Sequence, residues 1–275
     1  MSKLSDLRAR MDSLEEIGSI LNAMKNLSLV EITKISRQYL NQQELLKSVK
    51  LALADFEHFF GSLSPVSEAA GESLYILIGS ERGFCGGFNE AVQNKCASET
   101  AHQANPKLIV IGRKLALKFA GDNRLLAALD GPSATEEIPG VISELATELA
   151  KFPANTWKII HNSYDSEGSR IEVNSPFEFS RLPVTPAFAF APLLNVPPAE
   201  LRLPIIEQFL FALFYRIFYL SFTAENHQRL RHMDGAMNKI RDQQQRLKQV
   251  ANSLRQESIT EELEIILLSV DGITA

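Results

Sequence analysis

Cysteine and tryptophan are scarce in this chain: its 275 residues include two Cys, Cys85 and Cys96, and one Trp. Two cysteines are too few for a disulfide scaffold or a four-cysteine zinc site, and they fit a reducing compartment. Histidine is also sparse. Of His58, His102, His161, His227 and His232, only the last two lie close together, and five residues apart they fall on different helix faces. That spacing does not make a metal site, so no metal and no cofactor is expected. There is no excess of basic charge: 28 Lys plus Arg stand against 33 Asp plus Glu, for a net charge of -5. A general nucleic-acid binder is usually basic, so no nucleic-acid partner is expected. The opening residues MSKLSDLRAR lack the apolar core of a targeting peptide. Proline is absent before Phe60 and again after Pro204, which leaves both ends free to form unbroken helices.

What is present is the balance of a folded soluble protein, with 45% hydrophobic and 22% charged residues. One stretch, Ile205–Phe222 (IIEQFLFALFYRIFYLSF), approaches the length of a membrane span. Glu207 and Gln208 near its start and Arg216 inside it disfavour that reading, because a mid-span charge is costly. A buried helix docked on a sheet is the better expectation.

The chain reads as three segments. The first, residues 1–60, places Leu4, Leu7, Met11, Leu14, Ile17, Leu21 and Met24 at gaps of three and four, a single coiled-coil stripe. Ile35, Tyr39, Leu46, Val49, Leu53 and Phe56 continue helical spacing. A helix of that length spans roughly 80 Å, too long for the inside of one globule. The second segment, residues 73–198, has short apolar runs between turn signals. LYILI (Leu74–Ile78) and LIVI (Leu108–Ile111) read as buried parallel strands. Helices are predicted over Glu90–Thr100, Lys114–Ala120 and Ile138–Lys151, and a hairpin over Trp157–His161 and Arg170–Asn174. Six prolines from Pro183 to Pro204 mark an extended linker. The third segment, residues 199–275, places Leu230, Met233, Met237, Ile240, Gln244, Leu247, Ala251 and Leu254 in a strict 3-4 alternation. Its end, LEIILLSV, is apolar almost all round and must be sheathed by something. The expected fold is a long antiparallel coiled coil of the N- and C-terminal helices with an inserted Rossmann-like α/β domain.

Three strings are candidates for function. RGFCGGFN (Arg82–Asn89) follows a strand and is rich in glycine. It matches neither GxGxxG nor GxxxxGK[ST], so a phosphate loop is not supported. Arg82 and a following helix start are features that lower a thiol pKa, which keeps a Cys85 nucleophile open as an alternative. The plain reading is a tight turn from strand to helix. SLRQESITEELE (Ser253–Glu264) reads either as a solvated helix face or as a polar collar that meets a partner. The apolar tip is the third.

Taken together, these strings resemble the gamma subunit of F-type ATP synthases over nearly the whole chain. Leu7–Arg8, Met11, Leu14, Ile20 and Ala23–Met24 fall on that family's N-terminal pattern. SERGFCGGFN resembles its turn, usually DRGLCGGLN, and Ile111–Lys114 (IGRK) matches an element after the second strand. LRQESITEELEIILLSV resembles its C-terminal signature, and Glu225, Arg229 and Met233 match in register. The chain departs from the family at Phe84, usually Leu, at Glu31, usually Lys, and through Asp234–Leu247. These departures mark a divergent member and leave the coupling ion, proton or sodium, open.

The resemblance implies a non-catalytic rotor in the central stalk, coupling ion flow through a membrane ring to ATP synthesis or hydrolysis. Implied partners are the alpha and beta subunits of the hexamer, an epsilon subunit and the membrane c-ring. The implied location is peripheral, on the cytoplasmic face of the membrane. Beta-subunit contacts are implied for Met24, Cys85, Arg229, Arg255, Gln256, Thr260 and Glu262. An apolar sleeve is implied around Ile265, Ile266, Leu267, Leu268 and Val270. Two alternatives of other classes are a stand-alone α/β enzyme using the Cys85 turn and a generic coiled-coil scaffold.

Overall fold

The computed structural model describes residues 3–61, 73–103, 105–152, 156–165, 168–176 and 190–271, with side chains described from residue 4 to residue 264. Helix α1 (Lys3–Phe60) leads to strand β1 (Ser73–Ile78), helix α2 (Phe88–Thr100) and strand β2 (Lys107–Ile111). A short helix α3 (Arg113–Ala116) runs into a 3-10 turn at Leu117–Phe119, then strand β3 (Leu125–Leu129). Helix α4 (Ile138–Lys151), strands β4 (Thr156–Asp165) and β5 (Gly168–Asn174) and helix α5 (Pro198–Asp271) complete the order. The chain forms two compact units. One takes its described residues from 3–27 and 231–271, and the other is Ser28–Leu230.

The larger unit is built on a five-stranded sheet in the order β3-β2-β1-β4-β5. β3, β2, β1 and β4 are parallel, and β5 returns antiparallel to β4. β1 is buried on both faces, as its unbroken apolar run requires. Its alternation divides two cores. Leu74, Ile76 and Ile78 pack with α4 and with residues of α1 and α5 such as Leu53, Phe56, Ile217 and Phe218. Tyr75 and Leu77 pack with Val92 and Cys96 of α2 and Leu115 of α3. The apolar stretch of α5 is long and apolar enough to cross a membrane by length and composition. Here Phe209, Leu213, Phe214, Ile217, Phe218 and Phe222 are core residues. Each such side chain contributes roughly 2–3 kcal/mol when removed from water.

β3 is a strand that the sequence reading missed. Leu-Leu-Ala-Ala-Leu carries helix-forming residues and no turn signal inside it, and only pairing beside β2 makes it a strand. The helix predicted over Lys114–Ala120 is a four-residue helix continued as a 3-10 turn. Helix α5 begins with Pro198, and Pro204 lies inside it. Of the linker expected from Pro183 to Pro204, residues 183–189 lie outside the described residues, and its last part, from Pro198, is helix instead.

Glu31 is buried in this unit. Its carboxylate accepts the Thr135 backbone N–H at 2.9 Å and the Thr135 hydroxyl at 2.6 Å. Lys34 bridges it, at 3.0 Å, to Glu136, at 2.9 Å. Burial alone raises the Glu31 pKa, but the Thr135 and Lys34 hydrogen bonds outweigh it and hold the carboxyl below its usual range.

The smaller unit is an antiparallel helix pair. Lys25 Nζ meets Asp234 Oδ1 at 2.6 Å, and Gly18 and Asn22 line a groove with Met237, Ile240 and Arg241. The heptad positions from Met237 to Leu254 are all half-buried, as are Leu4, Leu7, Met11 and Leu14. The stripe differs at one level: Ile17 is 46% exposed, while Gly18 is half-buried. With no side chain at Gly18, a groove of about 300 Å³ opens there. A Cβ added at Gly18 would meet nothing within 4 Å. Gly18→Ala is therefore expected to stabilise the pair by about 1 kcal/mol, the usual gain over a helix-interior glycine. Thermal unfolding checks this: a rise of roughly 2–4 °C is expected, and a fall would mean that the helix is strained at that turn.

Candidate functional site

The Gly-rich turn opens where β1 ends. At Gly79 an added Cβ would lie 2.3 Å from Leu115 Cβ, so only glycine lets α3 approach so closely. Ser80 and Asn89 lock the two ends of the turn. Asn89 Oδ1 accepts the Ser80 N–H at 2.9 Å, and Asn89 Nδ2 donates to Ser80 Oγ at 2.8 Å. Glu81 is buried beneath the turn. It accepts the N–H groups of Arg113 and Gly131, both at 2.9 Å, and pairs with the Arg113 guanidinium at 3.1 Å. One carboxylate thus ties together the segments that follow β1, β2 and β3.

Cys85 is 4% exposed, and its Sγ donates to Ser80 Oγ at 3.2 Å. Burial pushes its thiol pKa up, the opposite of what a nucleophile needs. It packs with Phe88 and Ala224, and Tyr164 lies against them. Phe84 behaves differently. It is 56% exposed and has φ 63, a left-handed conformation that side chains other than glycine rarely adopt. The turn therefore shows its solvent side as Arg82 and Phe84, with Cys85 underneath.

Arg229 and Glu225 of α5 meet this turn from within the same unit. Arg229 is 5% exposed and Glu225 3%. Arg229 donates through Nη2 to Glu225 Oε1, through Nη1 to Asn226 Oδ1 at 2.9 Å, and through Nε to the Gly83 carbonyl at 3.3 Å. Burial raises the Glu225 pKa to about 7; Arg229 opposes the shift and the neighbouring Glu81 adds to it. Beside the pair, the Tyr164 and His227 rings stack at 3.8 Å. In open α/β sheets ligands usually enter where strand order reverses, here between β1 and β4. In this chain Asn162 of β4 reaches the Phe88 carbonyl at 3.1 Å there, so side chains of the protein itself occupy the position.

The other expected contact residues lie in the smaller unit. Met24 is half-buried in the helix seam. Arg255, Gln256, Thr260 and Glu262 are all exposed, and Thr260 Oγ1 donates to the Gln256 carbonyl at 2.9 Å. Register explains the exposure. Lys25 is level with Asp234, so the first residue of α1, Lys3, is level with about position 256. Beyond that level no described residue of α1 stands beside α5, and Ile259 and Leu263 are exposed on it. The helix backbone continues to Asp271, while the side chains of Ile265, Ile266, Leu267, Leu268 and Val270 lie outside the described residues. The structure thus joins Cys85 and Arg229 at one turn and gathers Arg255, Gln256, Thr260 and Glu262 on one helix end.

Sequence reasoning gave no role to Phe84, and Glu225 entered only as a match in register. A Glu and an Arg four residues apart, at the end of an apolar helical stretch, were the signal available for the pair. Among the described residues no group of three or more His, Cys, Asp or Glu is placed to hold a metal ion.

A family model described as ATP synthase matches residues 3–270. The ATP synthase gamma chain of Pelotomaculum thermopropionicum is 29% identical over 283 residues, covering 97% of this chain and 98% of that one. The ATP synthase gamma chain of Bdellovibrio bacteriovorus is 25% identical over 298 residues, covering 99% of each. A chain of the Euglena gracilis mitochondrial ATP synthase, in a structure of OSCP, F1 and c-ring, shares the fold with a TM-score of 0.66. It is 15% identical, with 98% of this chain and 94% of that chain covered. The turn, the helix pair and a match across nearly the full length agree: the chain belongs to the gamma-subunit family of the F-type ATP synthases.

Proposed function

We propose that this chain is the central-stalk rotor of an F-type ATP synthase, turning inside a hexamer of alpha and beta subunits and linking it to an epsilon subunit and a membrane c-ring. The observation that carries the reading is the unpaired end of α5. From Arg255 to Glu264 the helix is exposed on every side and still bears Ile259 and Leu263. A lone amphipathic helix end gains stability only when a partner surrounds it. The alpha–beta ring supplies that partner. Arg255, Gln256, Thr260 and Glu262 form its polar collar, and Ile265, Ile266, Leu267, Leu268 and Val270 run in its apolar sleeve.

The chain itself is read as non-catalytic. A buried thiol with a raised pKa, bonded to a serine hydroxyl, does not support the enzyme alternative. At the Gly-rich turn, the beta-subunit contact assigned to Cys85 passes through exposed Phe84 and Arg82, with Arg229 in a supporting role; the contact proposed for Met24 belongs to the helix pair. The complex is placed on the cytoplasmic face of its membrane.

Reconstitution tests this. Mixed with matching alpha and beta subunits, one copy of the chain is expected per three alpha–beta pairs on size exclusion, with ATP hydrolysis gained. A chain that elutes alone, folded and monodisperse, counts against the rotor. Arg255→Ala is expected to leave the chain folded and to weaken assembly or coupling about tenfold, the scale of one charge-assisted hydrogen bond. A scaffold without a specific collar would tolerate that change.

A further inference from the structure

Phe84 holds a strained backbone conformation, yet its side chain is largely in solvent and cannot be what holds it. Such strain persists only where the surroundings over-determine it. On its C-terminal side Cys85 is buried and bonded to Ser80. On its N-terminal side the Gly83 carbonyl accepts Arg229 Nε. Arg229 is nearly inaccessible; among the described residues Glu225 is the carboxylate that pairs with it, while Glu81 pairs with Arg113 and accepts two backbone N–H groups. Glu225 is thus positioned to act on the turn through Arg229.

We propose that Glu225 and Arg229 are positioning residues for the Arg82–Phe84 turn, and that a proton on Glu225 releases that turn. With Glu225 neutral, Arg229 still has acceptors in the Glu225 carbonyl and the Asn226 and Gly83 oxygens, but it is a buried cation that has lost its counter-charge. An uncompensated buried charge is costly, so the guanidinium moves toward water and leaves the Gly83 carbonyl. The ionisable groups facing Glu225 are few. Arg229 lies on its own helix; Glu81, Arg82 and the Cys85 thiol lie on the turn. His227, two residues on, stacks against Tyr164 of β4. Burial places the Glu225 proton equilibrium at about 7, so the pair is intact above that pH and broken below it. The consequence for the beta-subunit contact rests on the rotor reading, whereas the release of the turn does not.

The test uses the full-length chain with 4-fluorophenylalanine at position 84, followed by fluorine NMR from pH 5.5 to 8.5. The resonance is expected to titrate with a midpoint near neutrality. In Glu225→Gln the titration is expected to vanish. In Arg229→Lys, whose single ammonium cannot serve both Glu225 and Gly83, the resonance is expected to be displaced at every pH. His227→Gln should leave the titration in place. A flat wild-type response in the folded chain overturns the proposal. So does a titration that survives Glu225→Gln or is lost in His227→Gln. The reconstituted complex gives a second readout: its ATP hydrolysis is expected to fall below neutral pH, and less so with Glu225→Gln. A complex that never forms sinks the rotor reading and leaves the fluorine result standing.

Discussion

Replacing Gly112 with alanine is expected to destabilise the larger unit by about 4 kcal/mol, a large fraction of a typical domain's stability. Gly112 has φ 99, which a side chain tolerates poorly. An added Cβ would also lie 2.8 Å from the Gly79 carbonyl carbon and oxygen and from the Ser80 oxygen. These are backbone atoms and cannot rotate away. They are also stitched in place, since Gly79 N donates to Ile111 O at 2.9 Å and Lys114 N donates to Ser80 O at 3.1 Å. Strain and collision therefore add at one position. Urea unfolding followed by circular dichroism reads the effect. Gly140→Ala is the control, because its Cβ would meet nothing within 4 Å and it lies in helix α4. A Gly112→Ala midpoint equal to wild type would refute the account. Because the turn begins at Gly79, the same change is expected to abolish assembly.

The second large effect is at the buried pair. Glu225→Ala is expected to cost about 3–5 kcal/mol, because it leaves the Arg229 charge inside the protein without its partner, and Arg229→Ala is expected to cost less, because Glu225 without Arg229 takes up a proton. The double replacement Glu225→Leu with Arg229→Met is expected to cost far less than the sum and to approach wild-type stability. Proton linkage points the same way. Burial raises the Glu225 pKa from 4.5 to about 7, so folding favours its protonated form. Its stabilising contribution is full below the unfolded value near 4.5 and is lost as pH rises toward 7. Ionising Glu225 therefore costs stability, and what it maintains is Arg229's hold on the Gly83 carbonyl. The double variant should consequently fold well and still fail to couple in the reconstituted complex. Denaturant midpoints and ATP hydrolysis separate the two; additive single effects, or full activity in the double variant, would remove this explanation.

Much of the architecture was legible because its period is simple. The seam from Leu230 to Leu254 repeats at three and four residues, and every member of it is at least half-buried. LYILI and LIVI read as strands buried on both faces, and β1 and β2 are so. β3 was not legible, since alanine and leucine in a short run state no preference that its neighbour β2 cannot override. The residues proposed as contacts divide in the same way. Arg255, Gln256, Thr260 and Glu262 were readable as one polar helix end, while Cys85 drew attention by residue type and is buried.

By itself, the sequence determined the two long helices, the alternation of strands and helices between them, and the family, because these depend on local periodicity and short ordered strings. Only the tertiary structure decided that Phe84 is presented to solvent, that Arg229 reaches Gly83, and that Glu225 ionises at an unusual pH. Gly83 and Arg229 are 146 residues apart, and the Glu225 shift comes from the burial that packing around the turn creates. No local pattern encodes a contact at that separation, and no residue type carries its own desolvation.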